Sequence, residues 1–295
     1  MKIRFVVNPI SGVNRNPHRL VRWIEEIFTP SGEDFDIVYT RGPGDATRLA
    51  REAVREKVDV VVAVGGDGTI NELGRGLVHT GVALGVVPAG SGNGFARNFG
   101  IPLDQKDAIR ALLRVRIRSI DAGKMNEHHF FNVAGMGLDA VISHNFEQFG
   151  VRGPLPYFVV GTKAYLTYQP QEVVIRTEEQ TIRTAPLLLS VANAPQYGNG
   201  AIIAPQAQPD DGLLDVCILE PLPLWKAASH LHHLFNGTIQ ELEEYRTFRA
   251  KSLTIERPGP GPIHTDGNPH QESAEVHVEV LAGALNVAVP APADE

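Results

Sequence analysis

The sequence predicts an α/β domain followed by an all-β domain, and three observations carry that prediction. Up to about residue 115, β-branched runs alternate with amphipathic helical patterns, the grammar of a parallel sheet covered by helices on both faces. From about Ser119, short strand-like runs follow one another with few helices between them, which suggests an antiparallel sandwich or barrel. The halves also differ in charge: residues 1–125 hold 18 Lys/Arg and 14 Asp/Glu (+4), residues 126–295 hold 9 and 20 (−11), and the sum is the chain's −7. A length of 295 residues is enough for two cores. The predicted domains are residues 1–122 and 123–295, with the last strand a candidate to return to the first domain.

In chain order, Lys2 to Asn8 reads as a strand turned by Pro9-Ile10-Ser11-Gly12. Pro17 to Phe28 places Leu20, Val21, Ile24, Ile27 and Phe28 on one helical face, with Asn16 as N-cap and Pro17 at the first position. Phe35 to Thr40 is a second strand. Asp45 is expected to cap a helix whose inward stripe is Leu49, Ala50 and Ala53. Val58 to Val64 is a third strand, followed by a glycine turn and a helix from about Ile70 to Val78. Ala83 to Val87 is a fourth, and Asp104 opens a helix with Ile109, Leu112 and Leu113 inward.

In the second half the expected strands are Phe130 to Gly135, Glu172 to Thr177, Thr181 to Ala192, Leu213 to Leu219, Ser252 to Arg257, Ala274 to Leu281 and Leu285 to Val289. The expected helices are Leu138 to Phe149, Pro156 to Tyr168 and Leu224 to Phe235. No internal repeat is found.

Bulk properties exclude several classes. Composition is that of a folded chain, 43% hydrophobic and 21% charged. The single Cys217 rules out a disulfide within the chain and a Cys-based zinc site, and fits a reducing cytoplasm. No run approaches the roughly 18–20 apolar residues of a membrane span. The first residues read as a strand rather than a signal peptide. With no basic stripe and no basic-aromatic interleaving, nucleic acid is not an expected partner.

The stretch from Val58 to Arg97 carries the chemistry. Twice a β-branched run ends in a glycine-rich turn: Gly65-Gly66-Asp67-Gly68-Thr69-Ile-Asn71-Glu72, then Gly90-Ser91-Gly92-Asn93-Gly94. Such turns let backbone N–H groups approach a phosphate chain, and the helix after Gly66 adds its N-terminal N–H groups. A carboxylate at Asp67 makes most sense beside polyphosphate through Mg²⁺. A tight turn with Asp67 as a cap is the bland alternative. Rival motifs fail. G-x-G-x-x-G needs Gly at position 71, which is Asn; no G-x-x-x-x-G-K-[ST] occurs; and a nucleophile elbow needs Gly at position 89, which is Ala.

These turns, with Asn8-Pro9-Ile10-Ser11-Gly12, Phe131-Asn132-Val-Ala-Gly135-Met-Gly137-Leu-Asp139-Ala140, Tyr197-Gly-Asn-Gly200, Asp210-Asp211-Gly212-Leu-Leu-Asp215 and Asp266-Gly267, resemble the diacylglycerol kinase catalytic family, which includes soluble bacterial lipid kinases and sphingosine kinases. The matches span residues 8–268 in the family's order. The resemblance implies an ATP-binding α/β domain, a C-terminal β-sandwich and an ATP-dependent lipid kinase using Mg²⁺.

Carried over position by position, Asn8, Ser11, Gly12, Thr40, Gly65, Gly66, Asp67, Gly68, Thr69, Asn71, Glu72, Gly90, Ser91, Gly92 and Asn93 would hold ATP. The Asp211 carboxylate with the carbonyls of Gln208 and Leu213 would hold Mg²⁺ in the second domain, and Asp67 would meet the nucleotide's metal and count among the catalytic residues. Asp266, with Asn268 where the family has Glu, would form the catalytic pair. An amide accepts no proton at neutral pH, so a base role falls to Asp266. Gly94 stands where many relatives carry Asp, and Asp45 where His is frequent.

The implied partner is a lipid substrate at a membrane surface, met by a cytoplasmic protein transiently peripheral to that membrane; a homodimer is compatible with it. A NAD kinase-like or soluble-alcohol kinase, or a catalytically weak nucleotide- or lipid-binding regulator, are the alternatives. Among weaker signals, Arg110 and Arg114 read as a solvated i,i+4 pair. Leu224, Ala227, Ala228, Leu231, Leu234 and Phe235 form a helical stripe expected to pack into the core, with insertion into a bilayer the rival reading. His230, His232 and His233 are a faint metal signal, since no carboxylate or Cys accompanies them at ligand spacing.

Overall fold

A computed structural model describes residues 1–12, 17–149 and 164–292, with backbone alone for 145–149. In chain order the strands are β1 Lys2–Val7, β2 Asp34–Tyr39, β3 Val60–Gly65, β4 Ala83–Pro88, β5 Val115–Met125, β6 His128–Phe130, β7 Val133–Gly137, β8 Val173–Arg176, β9 Thr181–Thr184, β10 Leu188–Ala192, β11 Gln196–Gly198, β12 Ala201–Ile202, β13 Leu214–Leu219, β14 Tyr245–Ala250, β15 Ser252–Glu256, β16 Gly261–Thr265, β17 Asn268–Glu272 and β18 Glu275–Pro290. The helices are α1 Pro17–Phe28, α2 Asp45–Arg55, α3 Asp67–Leu77, α4 Gly94–Asn98, α5 Gln105–Ala111, α6 Leu138–Phe149 and α7 Leu224–Asn236. Met1–Ile120 with the chain from Gly283 forms one compact unit, and Asp121–Ala282 forms the other.

In the first unit the strands run in the order β2-β1-β3-β4-β18, and every neighbouring pair is parallel. Buried on both faces, such strands must be continuously apolar, and β3 and β4 are buried along their whole length. Helices α1 and α5 pack together, as do α2 and α3. The chain leaves β1 toward β2 and then crosses to β3 on the other side. The loops after β1 and β3 therefore flank the point where strand order reverses, the usual ligand crevice of an open α/β sheet. Register aligns the strand ends: Val7 lies opposite Tyr39 and Val64, and Gly65 opposite Pro88. Asn8, Thr40, Gly66 and Ala89 consequently leave the sheet at the same edge.

The second unit is antiparallel. One sheet runs β14-β13-β10-β7-β16-β17, and the first half of β18 pairs with β15, which continues to β8 and β9. Phe130, Met136, Val191 and Val216 meet Ile175, Ile255 and Val278 in one apolar core, the interior of a β-sandwich. The chain is thus an α/β domain plus an antiparallel β-sandwich.

Several local readings are corrected. Asp45 is the first residue of α2 rather than its cap; Gly44 occupies the cap in the left-handed region, and Asp45 accepts from the Arg41 N–H at 2.8 Å. Leu113 lies past the end of α5 and is 40% exposed. Thr181 to Ala192 divides into β9 and β10 around Ala185-Pro186, because proline supplies no ladder N–H. The two runs after Ala274 form the single strand β18. No residue of α7 is fully buried; of its expected stripe Leu234 packs half-covered against the core, while Leu224, Leu231 and Phe235 stay exposed. Asn16 and most of Pro156 to Tyr168 lie outside the described residues, of which 164–167 are helical.

Candidate functional site

Backbone hydrogen bonds extend the parallel ladders one step into the loops of the first unit: Asn8 N–H to Val64 O at 3.0 Å, Thr40 N–H to Val7 O at 3.0 Å and Ala89 N–H to Gly65 O at 2.8 Å. The glycine turns then lie against each other. A Cβ on Gly90 would stand 2.7 Å from the Gly66 Cα, so only glycine permits this approach. Gly12 adopts φ +78°, and a Cβ there would meet the Ala89 carbonyl oxygen at 2.4 Å. Three loops are thereby held in close backbone approach, with the small Ser11 hydroxyl donating to the Ala89 carbonyl at 3.4 Å.

Polar side chains fix this stack. Asn8 Nδ2 donates to Thr69 Oγ1 at 2.9 Å and Asn8 Oδ1 accepts from Ile10 N–H at 3.2 Å. Asn93, in the left-handed region, accepts from Gly90 N–H at 2.9 Å. Asp67 Oδ1 accepts from Phe95 N–H at 3.2 Å, tying the start of α3 to the start of α4. The Gly66 cap of α3 makes no side-chain capping bond. The N–H groups of the first turn of α3 are those that would approach a phosphate group. Ser91 is exposed and Gly92 half-buried at the rim.

The loops open on a groove of about 330 Å³ lined by Asn8, Ser11, Gly12, Trp23, Gly90 and Asn93 among others. Glu72 points elsewhere: its carboxylate accepts from Ala46 N–H at 3.3 Å, and its carbonyl accepts from Thr47 Oγ1 at 2.7 Å, joining α3 to α2.

In the second unit Asp266 sits at the β16–β17 turn with φ +49°, a conformation Asp tolerates. Its carboxylate accepts from the backbone N–H groups of Phe131 at 2.9 Å, Asn132 at 2.9 Å and Val133 at 3.2 Å, and its own N–H donates to Val133 O at 2.9 Å. Asp266 therefore clasps the β6–β7 turn. Gly267 is exposed, and Asn268 opens β17 opposite Thr265.

Asp121 has no counterpart among the sequence candidates. It is 2% exposed, accepts from Gly212 N–H at 2.7 Å, and its N–H donates to Pro209 O at 2.6 Å. Asn193 Nδ2 bridges the carbonyls of Asp121 and Phe131 at 2.9 and 3.1 Å. The turn at Asp210–Gly212 and the segment beside Asp266 thus share one buried polar bridge. The available signal was a carboxylate inside the apolar run Ile120-Asp121-Ala122.

Asp211 Oδ2 pairs with Arg249 at 2.8 Å, and Oδ1 accepts from Leu213 N–H at 3.1 Å. Burial raises the Asp215 carboxyl above the usual range, an effect the Arg249 charge opposes. Gln208 is exposed. A magnesium ion needs oxygen ligands and a net negative shell. With its carboxylate already facing a guanidinium, this group of residues does not fit a resident metal ion. Asp67 differs. Mg²⁺ is commonly held by one or two carboxylates together with substrate phosphates, and Asp67 stands in the first turn of α3, beside the N–H groups that would approach a phosphate. It fits a metal ion that arrives with the nucleotide.

A second buried cluster was not foreseen. Asp139 Oδ2 lies 3.2 Å from Ser190 Oγ, 3.1 Å from Tyr197 OH and 3.2 Å from His264 Nε2, while Ser190 Oγ meets Tyr197 OH at 2.5 Å. Burial pushes the Tyr197 phenol well up, and the Asp139 charge adds to this. These groups converge on one carboxylate. Ser190 has no hydrogen bond to His264 here, so they form no nucleophile relay of the Ser-His-Asp kind.

Comparisons with known proteins agree with this architecture. Residues 2–125 match the family model described as the diacylglycerol kinase catalytic domain, and residues 132–289 the one described as the YegS C-terminal NAD kinase beta sandwich-like domain. Among curated relatives, a Pseudomonas putida protein named "Probable lipid kinase YegS-like" is 32% identical over 267 residues, 88% of this chain and 87% of that protein. A Bacillus subtilis diacylglycerol kinase is 31% identical over 226 residues, 74% of each chain. A solved Bacillus anthracis diacylglycerol kinase structure shares the fold, with a TM-score of 0.76, 24% identity and coverage of 99% of this chain and 97% of that one.

Proposed function

Because the chain belongs to the diacylglycerol kinase family, we propose that it transfers the γ-phosphoryl group of ATP to a hydroxyl of a lipid such as diacylglycerol or a sphingoid base. The observation that carries this reading is the backbone contact of the Gly66 and Gly90 turns beside the first turn of α3, at the strand-order reversal. It supports a triphosphate cradle, since phosphoryl transfer asks for positioning and charge stabilisation more than covalent chemistry.

In this account the N–H groups around Gly66–Thr69 and Gly90–Asn93 bind the phosphates, and Asn8 and Asn93 hold those loops in shape. A Mg²⁺ ion bound with the nucleotide neutralises phosphate charge, and Asp67 is the residue that would face it. The lipid oxygen forms the new P–O bond as the bond to the ADP oxygen breaks. The hydroxyl proton passes to a base or to water as that bond forms; Asp266, the carboxylate offered by the family resemblance, is held by three backbone N–H groups of the β6–β7 turn. The protein is cytoplasmic and meets its substrate at the membrane surface; among the described residues no helix is long and apolar enough to cross a membrane.

A second reading, a binding protein with weak turnover, draws on Asn268, which cannot act as a base. The two part in one assay. With γ-labelled ATP, Mg²⁺ and a panel of lipid and soluble alcohols, label should appear in a lipid, and Asp67→Asn should lower transfer by about 10²–10³. ATP binding without transfer to any acceptor would favour the second reading.

A further inference from the structure

Helix α7 turns Leu234 toward the core but leaves most of its apolar side chains outward. Leu224, Ala228, Leu231 and Phe235 recur at i, i+4, i+7 and i+11 and so share one face. Leu224 is 44%, Leu231 45% and Phe235 50% exposed, and Trp225, beside the start of the stripe, is 72% exposed. The half-covered side carries Lys226, Ala227, His230, His233 and Leu234, the last packed against the core of the second unit. Polar bonds fix that orientation: the Lys226 ammonium holds the Glu244 carboxylate, and His233 Nδ1 meets Thr238 Oγ1 at 2.7 Å. Pro223 precedes the helix and Gly237 ends it in the left-handed region. Rolling the apolar face inward would break both polar contacts.

We propose that this outer face of α7 is the surface by which the protein docks on a lipid bilayer, the helix lying in the plane of the headgroups. The proposal rests on the lipid-kinase reading in that such an enzyme must reach a substrate held in a membrane. Charge complementarity favours this occupant. From Pro221 to Gly237 there is no Asp or Glu, in a half of the chain whose balance is −11, and with Lys226 turned to Glu244 the outer face carries no carboxylate to repel anionic headgroups. Aromatic and leucine side chains on one side of such a helix suit burial at the headgroup boundary. A second copy fits poorly. The stripe is about 17 Å long and about 10 Å wide, on the order of 200 Å², against about 800 Å² per partner in a stable protein interface.

The test uses the full chain and vesicles of phosphatidylcholine and phosphatidylglycerol. The double variant Trp225→Glu/Leu231→Glu should keep its unfolding midpoint and lose vesicle co-sedimentation by about tenfold or more. Trp225→Phe should retain binding. Transfer to a short-chain, water-soluble diacylglycerol should be unchanged in both. Co-sedimentation of the double variant equal to the parent's would overturn the proposal. So would sedimentation velocity showing a parent dimer that the double variant splits, because the face would then belong to a second copy. The two readings fail separately. Docking that depends on α7 without phosphorylation of any lipid removes the kinase reading alone; soluble-lipid turnover with vesicle binding indifferent to α7 removes the docking surface alone.

Discussion

At the scale of single residues, the site depends on close backbone approach and on carboxylates that serve as anchors. Gly90→Ala puts a methyl 2.7 Å from the Gly66 Cα. The loops must part, at a cost of about 1–3 kcal/mol, and ATP affinity measured by titration calorimetry should fall with the unfolding midpoint. Unchanged affinity would separate the turn from the nucleotide. Asp266→Ala leaves three backbone N–H groups without their acceptor, a loss of about 2–3 kcal/mol. Urea unfolding should register it even if turnover is never assayed. Asp211 makes a contrary prediction: with Arg249 as its partner, adding Mg²⁺ or EDTA to the nucleotide-free protein should leave the unfolding midpoint in place. A rise with Mg²⁺ would restore the metal reading of this turn.

At the scale of elements, the β13–β14 pair places Asp215 opposite Arg249, and burial raises the Asp215 carboxyl. The sign follows from linkage. A folded pKa above the unfolded value near 3.8 means the folded state binds the proton more tightly. The charged form is therefore a burden above the raised value, and that burden is relieved as pH falls toward 3.8. Asp215→Asn should accordingly raise the unfolding midpoint at pH 7 and have no such effect below 3.8. A fall at pH 7 would mean that attraction to Arg249 outweighs burial.

Glu272 behaves oppositely. Burial raises its pKa, but hydrogen bonds from Asn126 and His128 more than compensate, leaving it below 4.5. Its contribution to holding β17 against the β5–β6 turn is present above 4.5 and is lost as pH falls through the lower folded value. Glu272→Gln should flatten that acid limb.

Elements also differ in how far the sequence announces them. Val60 to Gly65 and Ala83 to Pro88 are legible because strands buried on both faces must be uninterrupted apolar runs. Strands β5, β14 and β16 are not. Arg116 and Arg118 interrupt β5, Arg246 and Arg249 interrupt β14, and β16 opens on Gly261-Pro262, so no apolar run marks them. The stripe of α7 has the period of a core helix, yet sequence cannot say which side is inward. That is decided by Lys226 meeting Glu244 and Leu234 meeting the core of the second unit.

At the scale of the whole molecule, the first unit's candidate site was readable because glycine turns after buried strands have few structural meanings. The second unit's candidate residues were readable only by their resemblance to a family, and their physics differs from the simple expectation: Asp266 is a clasp of the β6–β7 turn. Asp121, Asn193 and the Asp139 cluster were invisible because their partners lie far away in sequence. Helix α7 adds a surface that would bring the chain to a bilayer. The central claim is phosphoryl transfer to a lipid, and its most direct measurement is one assay. The full chain is incubated with γ-labelled ATP, Mg²⁺ and a panel of lipid alcohols, and the organic phase is counted. The account predicts label in at least one lipid and its near-complete loss in Asp67→Asn. Label that stays with ATP for every lipid, while ATP itself binds, would contradict it.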